Sequence, residues 1–207
     1  MKDTAEIKEL FINNAIHLIA KGGFEKATTK ELTHYSGNLP GFKMNEVYIY
    51  RIFGSKEKLY EAAFLSLDRE LYDAFHSAIA LVGQQGADIK NIKTRMYEFF
   101  LLAWRFILGD EDRCRCYLRY YYSVYFKGHS LEIHNKLFGE MISILKPLFK
   151  DEADVFSIMH SVFISLFDFA IRVYNGDLVN DDTNIPHVFN VLYCMMSTYF
   201  ADSVAIA

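Results

Sequence analysis

The sequence predicts an all-α fold of about nine helices, and three observations carry that expectation. Only three prolines occur in 207 residues, at positions 40, 147 and 186. No segment alternates apolar and polar residues between hairpin turns, as a half-buried strand would. Apolar residues instead recur at three- and four-residue intervals, punctuated by helix-capping residues. Composition supports a packed core: 52% of the residues are hydrophobic, with 18 Phe and 14 Tyr, which excludes a disordered chain.

The elements follow in order. Ile7, Leu10, Phe11, Ala15, Leu18 and Ile19 share one helix face. Gly22-Gly23 stops that helix, and Phe24 can tuck back under its end. Thr28 with Glu31 forms a capping box at the start of a second, short helix ending near Ser36-Gly37. "NLPGFK" (38–43) is a turn-rich piece. Asn45 is a good N-cap for a third short helix that ends at Gly54. Within it Val47, Ile49 or Tyr50, and Phe53 are assigned inward; Asn45, Glu46, Tyr48, Arg51 and Ile52 are assigned outward. Ser55 caps a fourth, long helix running from Lys56 to near Leu81. Further helices are expected over 89–108, 112–126 and 131–148, with "GDED" and "KGHS" as the breaks between them. Asp151 is expected to cap the next helix, which reaches Asn175. After the polar loop "NGDLVNDDTN" (175–184) comes a last helix, with Pro186 near its start, where its missing N–H has no partner to lose.

Charge is unevenly spread. The chain carries −4 overall, with +2 on residues 1–60 and −6 on residues 61–207. A mildly basic N-terminal part permits nucleic-acid binding without demanding it. Two short helices joined by a turn make a helix-turn-helix, whose second helix can enter the major groove. Asn45 and Arg51 carry donors suited to base edges, and Glu46 can accept from cytosine N4. Tyr48 can stack on sugar or donate to phosphate. Tyr50 is either a core aromatic or a phosphate contact. Lys56 lies in the first turn of the fourth helix, an end that favours anions; Lys56 and Lys58 read equally as a solvated helix start. Thr28, Thr29 and Lys30 offer the same at the second helix.

"GGFEKATTKEL" followed by "VYIYRIFGSKEKLYEAAF" resembles the N-terminal domain of the TetR family of transcriptional regulators. The likeness is densest from Ile49-Tyr50 through Phe53, Ser55-Lys56-Glu57 and Leu59. One departure stands out: the family's tight turn is lengthened here by "NLPGFK". That insertion either supplies Lys43 or Asn38 as an added DNA contact or is a solvent loop. The resemblance implies a DNA-binding domain over 1–55 and a helical effector-binding and dimerisation domain over 56–207. It also implies a homodimer on a pseudo-palindromic double-stranded DNA operator, acting as a repressor and released by a small apolar or aromatic effector.

Residues 61–207 hold 25 aromatics, concentrated in "YEFFLLAWRFIL" and "YLRYYYSVYF". Apolar walls with a few hydroxyls suit a small-molecule pocket, though a tyrosine stripe also serves as core or interface. The pocket candidates are Trp104, Arg105, Tyr117, Tyr121, His134 and Asp168; Asp168 and Arg172 also have the spacing of a helix ion pair. The last two helices are too apolar for one side of a monomer, and Phe163, Phe167, Val191 and Met195 are the dimer candidates. Segment 155–173 has the length of a membrane span but contains His160, Asp168 and Arg172, so a soluble helix buried on two sides is expected. Serines 157, 161 and 165 line one face of it and would let a second helix approach closely. Cys114, Cys116 and Cys194 lack zinc-site spacing. With a charged opening, "MKDTAEIKELF", they suggest free thiols in the cytoplasm and no metal or other cofactor. No Gly-rich phosphate loop, HExxH or GxSxG marks an enzyme. The remaining alternative is a helical small-molecule-binding protein of the same architecture without operator binding.

Overall fold

A computed structural model describes residues 4–34, 45–83 and 92–202. Among them are nine α-helices: α1 (Thr4–Gly22), α2 (Thr29–His34), α3 (Val47–Phe53), α4 (Lys56–Gly83), α5 (Ile92–Ile107), α6 (Glu111–Tyr121), α7 (Leu131–Leu145), α8 (Val155–Tyr174) and α9 (Asn184–Ser197). The all-α expectation holds, and the described residues contain only one isolated β-bridge, Phe149 with Phe200. By contacts the chain divides into two compact units, Met1–Arg69 with Glu111–His134, and Glu70–Asp110 with Asn135–Ala207.

In the first unit α1 packs chiefly on α6. Ile7, Phe11, Ala15 and Ile19 are buried as their spacing requires. Asn14, also buried, donates from Nδ2 to the Leu32 carbonyl at 2.9 Å and so ties α1 to α2. The Tyr60 hydroxyl of α4 donates to the Ala27 carbonyl at 2.5 Å, holding the α1–α2 turn. Phe24 lies against Tyr60, Tyr120 and Tyr125. In the second unit α8 and α9 form the most extensive pair. The bridge between Phe149 and Phe200 closes the end of α9, with Lys150 N–H donating to the Tyr199 carbonyl at 2.9 Å. Among the described residues α8 is the one helix long and apolar enough to cross a membrane. Its Val155, Val162, Leu166, Phe167 and Ala170 are buried within this unit.

The caps sit largely where the sequence placed them. Thr28 Oγ1 accepts from Glu31 N–H at 3.2 Å, Asn45 Oδ1 from Val47 N–H at 3.0 Å, and Ser55 Oγ from Lys58 N–H at 3.1 Å. Gly54 ends α3 at φ 86°, a left-handed conformation that costs a side chain-bearing residue about 1–2 kcal/mol.

Four expectations are corrected. The helix expected over 112–126 ends at Tyr121, because the chain turns at Tyr122-Ser123, where Ser123 Oγ donates to the Tyr120 carbonyl at 2.6 Å. "KGHS" is then no break: Phe126–Ser130 is a wide helical turn leading straight into α7. Asp154, not Asp151, caps α8. Its carboxylate accepts from Ser157 N–H at 3.1 Å and Ser157 Oγ at 2.7 Å, which holds the carboxyl below its usual range. Val47 and Tyr50 both face outward, 64% and 55% exposed. At 100° per residue Val47 falls opposite the buried Ile49, leaving Ile49, Ile52 and Phe53 as the inward stripe.

Candidate functional site

Helix α3 is a short rod pinned by its inner face. Ile49 is completely buried, and the Phe53 ring meets Phe11 of α1 edge-on at 6.3 Å. Its outer face presents Val47, Tyr50 and Arg51, with Tyr48 half-buried. The Arg51 guanidinium lies over the Tyr48 ring at 4.5 Å and keeps its donors on the outer side. Asn45 and Glu46 are exposed at the α3 N-terminus, where the Asn45 carboxamide oxygen is engaged in the cap. Lys43 and "NLPGFK" lie outside the described residues.

The starts of α2 and α4 carry the other candidates. Thr28 and Lys30 are exposed and Thr29 is half-buried. Lys56 is half-buried, with its ammonium over the Tyr60 ring at 5.6 Å. Lys58 is committed to Glu61 at 2.5 Å. The Glu57 carboxyl in the first turn of α4 is held below its usual range, first by its own backbone N–H and then by Ser55 and Lys56. That end of the helix therefore favours negative charge.

The six pocket candidates separate into three places. Tyr117, Tyr121 and His134 converge in the first unit on Asp68, which the sequence reading missed. Asp68 is fully buried. Its Oδ1 accepts from the Tyr117 hydroxyl at 2.8 Å and lies 2.9 Å from His134 Nδ1. Its Oδ2 has no hydrogen-bond partner among the described residues. Burial, then Asp68, pushes the Tyr117 phenol well up; burial pushes Tyr120 and Tyr121 to about 12. The signal for Asp68 was in the sequence: it falls on the same face of α4 as Phe64, Leu71 and Phe75.

Trp104 and Arg105 instead line a cleft of about 590 Å³ in the second unit, with Asn180 and Asp182. The buried Trp104 donates its indole N–H to Asn180 Oδ1 at 2.9 Å. Asp168 lies apart, exposed on α8. Arg172 lies over the Phe169 ring at 5.7 Å.

A second cavity in this unit, of about 280 Å³, is walled by apolar side chains of α4, α5, α7, α8 and α9, including Met96, Met159 and Met196. Among its lining residues only Arg95 is charged. No sequence candidate lines it. Arg95 could have been found as the charge leading the stripe Arg95, Phe99, Ala103 on one face of α5.

Of the dimer candidates, Val191 is 49% exposed and Phe167 is 2% exposed. Phe163 and Met195 are half-buried, and the Phe163 ring meets Phe75, Phe138 and Phe167. Among the described residues no three His, Cys, Asp or Glu side chains converge where a metal ion could sit.

No protein-family model and no curated protein matches this sequence. Solved structures do match. A TetR family transcription regulator from Marinobacter aquaeolei VT8 superposes with a TM-score of 0.73 at 15% identity, covering 91% of this chain and 94% of that one. A chain from Shewanella sp. PV-4, provisionally assigned to the same family, gives 0.73 at 12% identity over 97% and 100%. A TetR-like transcriptional regulator from Rhodococcus sp. RHA1 gives 0.64 at 14% identity over 94% and 96%. At these identities the likeness is one of fold: the chain has the all-helical fold of TetR-family transcription regulators.

Proposed function

We propose that the chain is a ligand-responsive, DNA-binding transcriptional regulator of the TetR type, a cytoplasmic homodimer that represses from a pseudo-palindromic operator. The observation that carries this reading is α3. A helix of seven residues is pinned by Ile49 and Phe53 while Val47, Tyr50 and Arg51 line its free side, Arg51 lying over the half-buried Tyr48. An exposed Arg-Tyr face has little value to the core, and it suits a groove lined by base edges and phosphates. The capped starts of α2 and α4 add backbone N–H groups and Lys30 and Lys56, suited to phosphates. The fold shared with transcription regulators supports the same reading.

The effector in this proposal occupies the apolar cavity walled by α4, α5, α7, α8 and α9. Ile79 of that wall and Lys56 belong to one helix, α4, so repacking around a ligand acts on the helix that also carries phosphate contacts. The effector releases DNA only insofar as it binds the DNA-free state better.

The test is a gel shift of the full chain with DNA from upstream of its own coding sequence. Sequence-specific retardation that weakens steeply with salt is expected. Folded protein that retards no such fragment at low salt overturns the reading.

A further inference from the structure

We infer that the apolar cavity of the second unit is built for a small amphipathic anion, an aliphatic monocarboxylate with its tail among the methionines and phenylalanines and its head at Arg95. This rests on the reading of that cavity as the effector site, and it adds the ligand's chemistry.

The walls decide the tail. A cavity of about 280 Å³ lies at the small end for a ligand site. Apart from Arg95, its lining offers no side chain able to hydrogen-bond strongly, so water inside would find few partners. Met96, Met159 and Met196 adjust shape at low cost around a flexible chain.

The rim decides the head. Arg95 is half-buried in the first turn of α5, and among the described residues no carboxylate pairs with it. That turn contains no acidic residue. Lys93, two residues before Arg95, is exposed, its ammonium standing over the Tyr193 ring at 5.2 Å. The helix-end dipole adds positive potential at the same place. A guanidinium fork matches one carboxylate with two hydrogen bonds. A neutral tail with no head would leave the arginine unused, and a cationic head would meet the like charge of Arg95.

The test uses the full chain without DNA, titrated with hexanoate, octanoate and decanoate and with the alcohols of the same lengths. Binding is followed by calorimetry and by the fluorescence of Trp104, the single tryptophan. Each added methylene should tighten binding about fourfold until the cavity is full. Each acid should bind at least about tenfold tighter than its alcohol, the worth of a charge-assisted hydrogen bond. Arg95→Gln should bring acid and alcohol to near parity, chiefly by weakening acid binding, and Arg95→Lys should restore part of the preference. Equal binding of acid and alcohol by the wild type, an undiminished preference in Arg95→Gln, or no saturable binding of any member overturns the inference. Operator retardation is measured separately. Loss of retardation with carboxylate binding intact counts against the regulator reading, and retardation with no carboxylate binding counts against this one.

Discussion

Arg51 stacks on Tyr48 at 4.5 Å, and that contact sets what its loss should do. If the guanidinium reads a guanine edge, Arg51→Ala should weaken binding by about 1–3 kcal/mol and relax preference at one operator position only. Competition gel shifts across single-base operator variants measure this; a uniform loss at all positions would assign Arg51 to phosphate. The cysteines give a second test at this scale. Cys114 and Cys116 are buried, and burial pushes the Cys116 thiol up, with Arg119 opposing only in part. Cys194 is exposed on α9. Since the thiolate is the reactive form, Ellman's reagent should titrate one thiol in the native protein and three after denaturation. Two fast thiols would contradict the packing of α6.

Helix α6 carries the tyrosines that the sequence offered as either pocket or core, and its environment makes a pH prediction. Burial raises the Tyr117 phenol and takes Tyr120 and Tyr121 to about 12, against an ordinary value of 10.0. The folded state thus holds these protons more tightly than the unfolded one. Their contribution is fully present below pH 10 and is lost as pH rises towards about 12. Urea midpoints should therefore fall across that window, and absorbance at 295 nm should show a set of phenols ionising only with unfolding. A flat midpoint would show these rings to be solvated. At the start of α4, Lys56→Ala should lower the salt slope of operator binding by about one unit; no change would leave Lys56 to its cation–π contact with Tyr60 alone. What the sequence made legible at this scale was local. Thr28, Asn45, Ser55 and Gly54 act on backbone within three or four residues of themselves, so spacing sufficed to place them. Asp154 was misplaced by three residues because several acids precede α8 and only geometry picks the one that Ser157 can reach. Tyr117, Tyr121 and His134 lie together, but Asp68 at their centre lies 49 and 66 residues away in the chain from Tyr117 and His134. Trp104 and Asp168 were grouped with them on residue type alone, and packing put them elsewhere.

At the scale of the whole molecule the open proposal is the dimer, and the structure changes which substitutions can test it. Phe167 is 2% exposed in the core of its own unit, so Phe167→Asp would bury an unpaired charge and unfold the chain whether or not it dimerises. A monomer from that variant would prove nothing about an interface. Val191 is 49% exposed on α9, and Ser157, Ser161 and His160 are exposed on α8. Small side chains exposed on α8 and an exposed aliphatic on α9 suit the close approach of a second pair of helices. Val191→Glu places its charge on that surface without entering the core. It should give a monomer in sedimentation velocity with an unchanged far-UV circular dichroism spectrum. It should also weaken operator retardation by roughly 10²–10⁴-fold, because one recognition helix then binds without the effective concentration its partner supplies. Sedimentation and retardation must move together. A monomer with undiminished operator affinity would detach dimerisation from DNA binding, and a persistent dimer would place the interface away from α9.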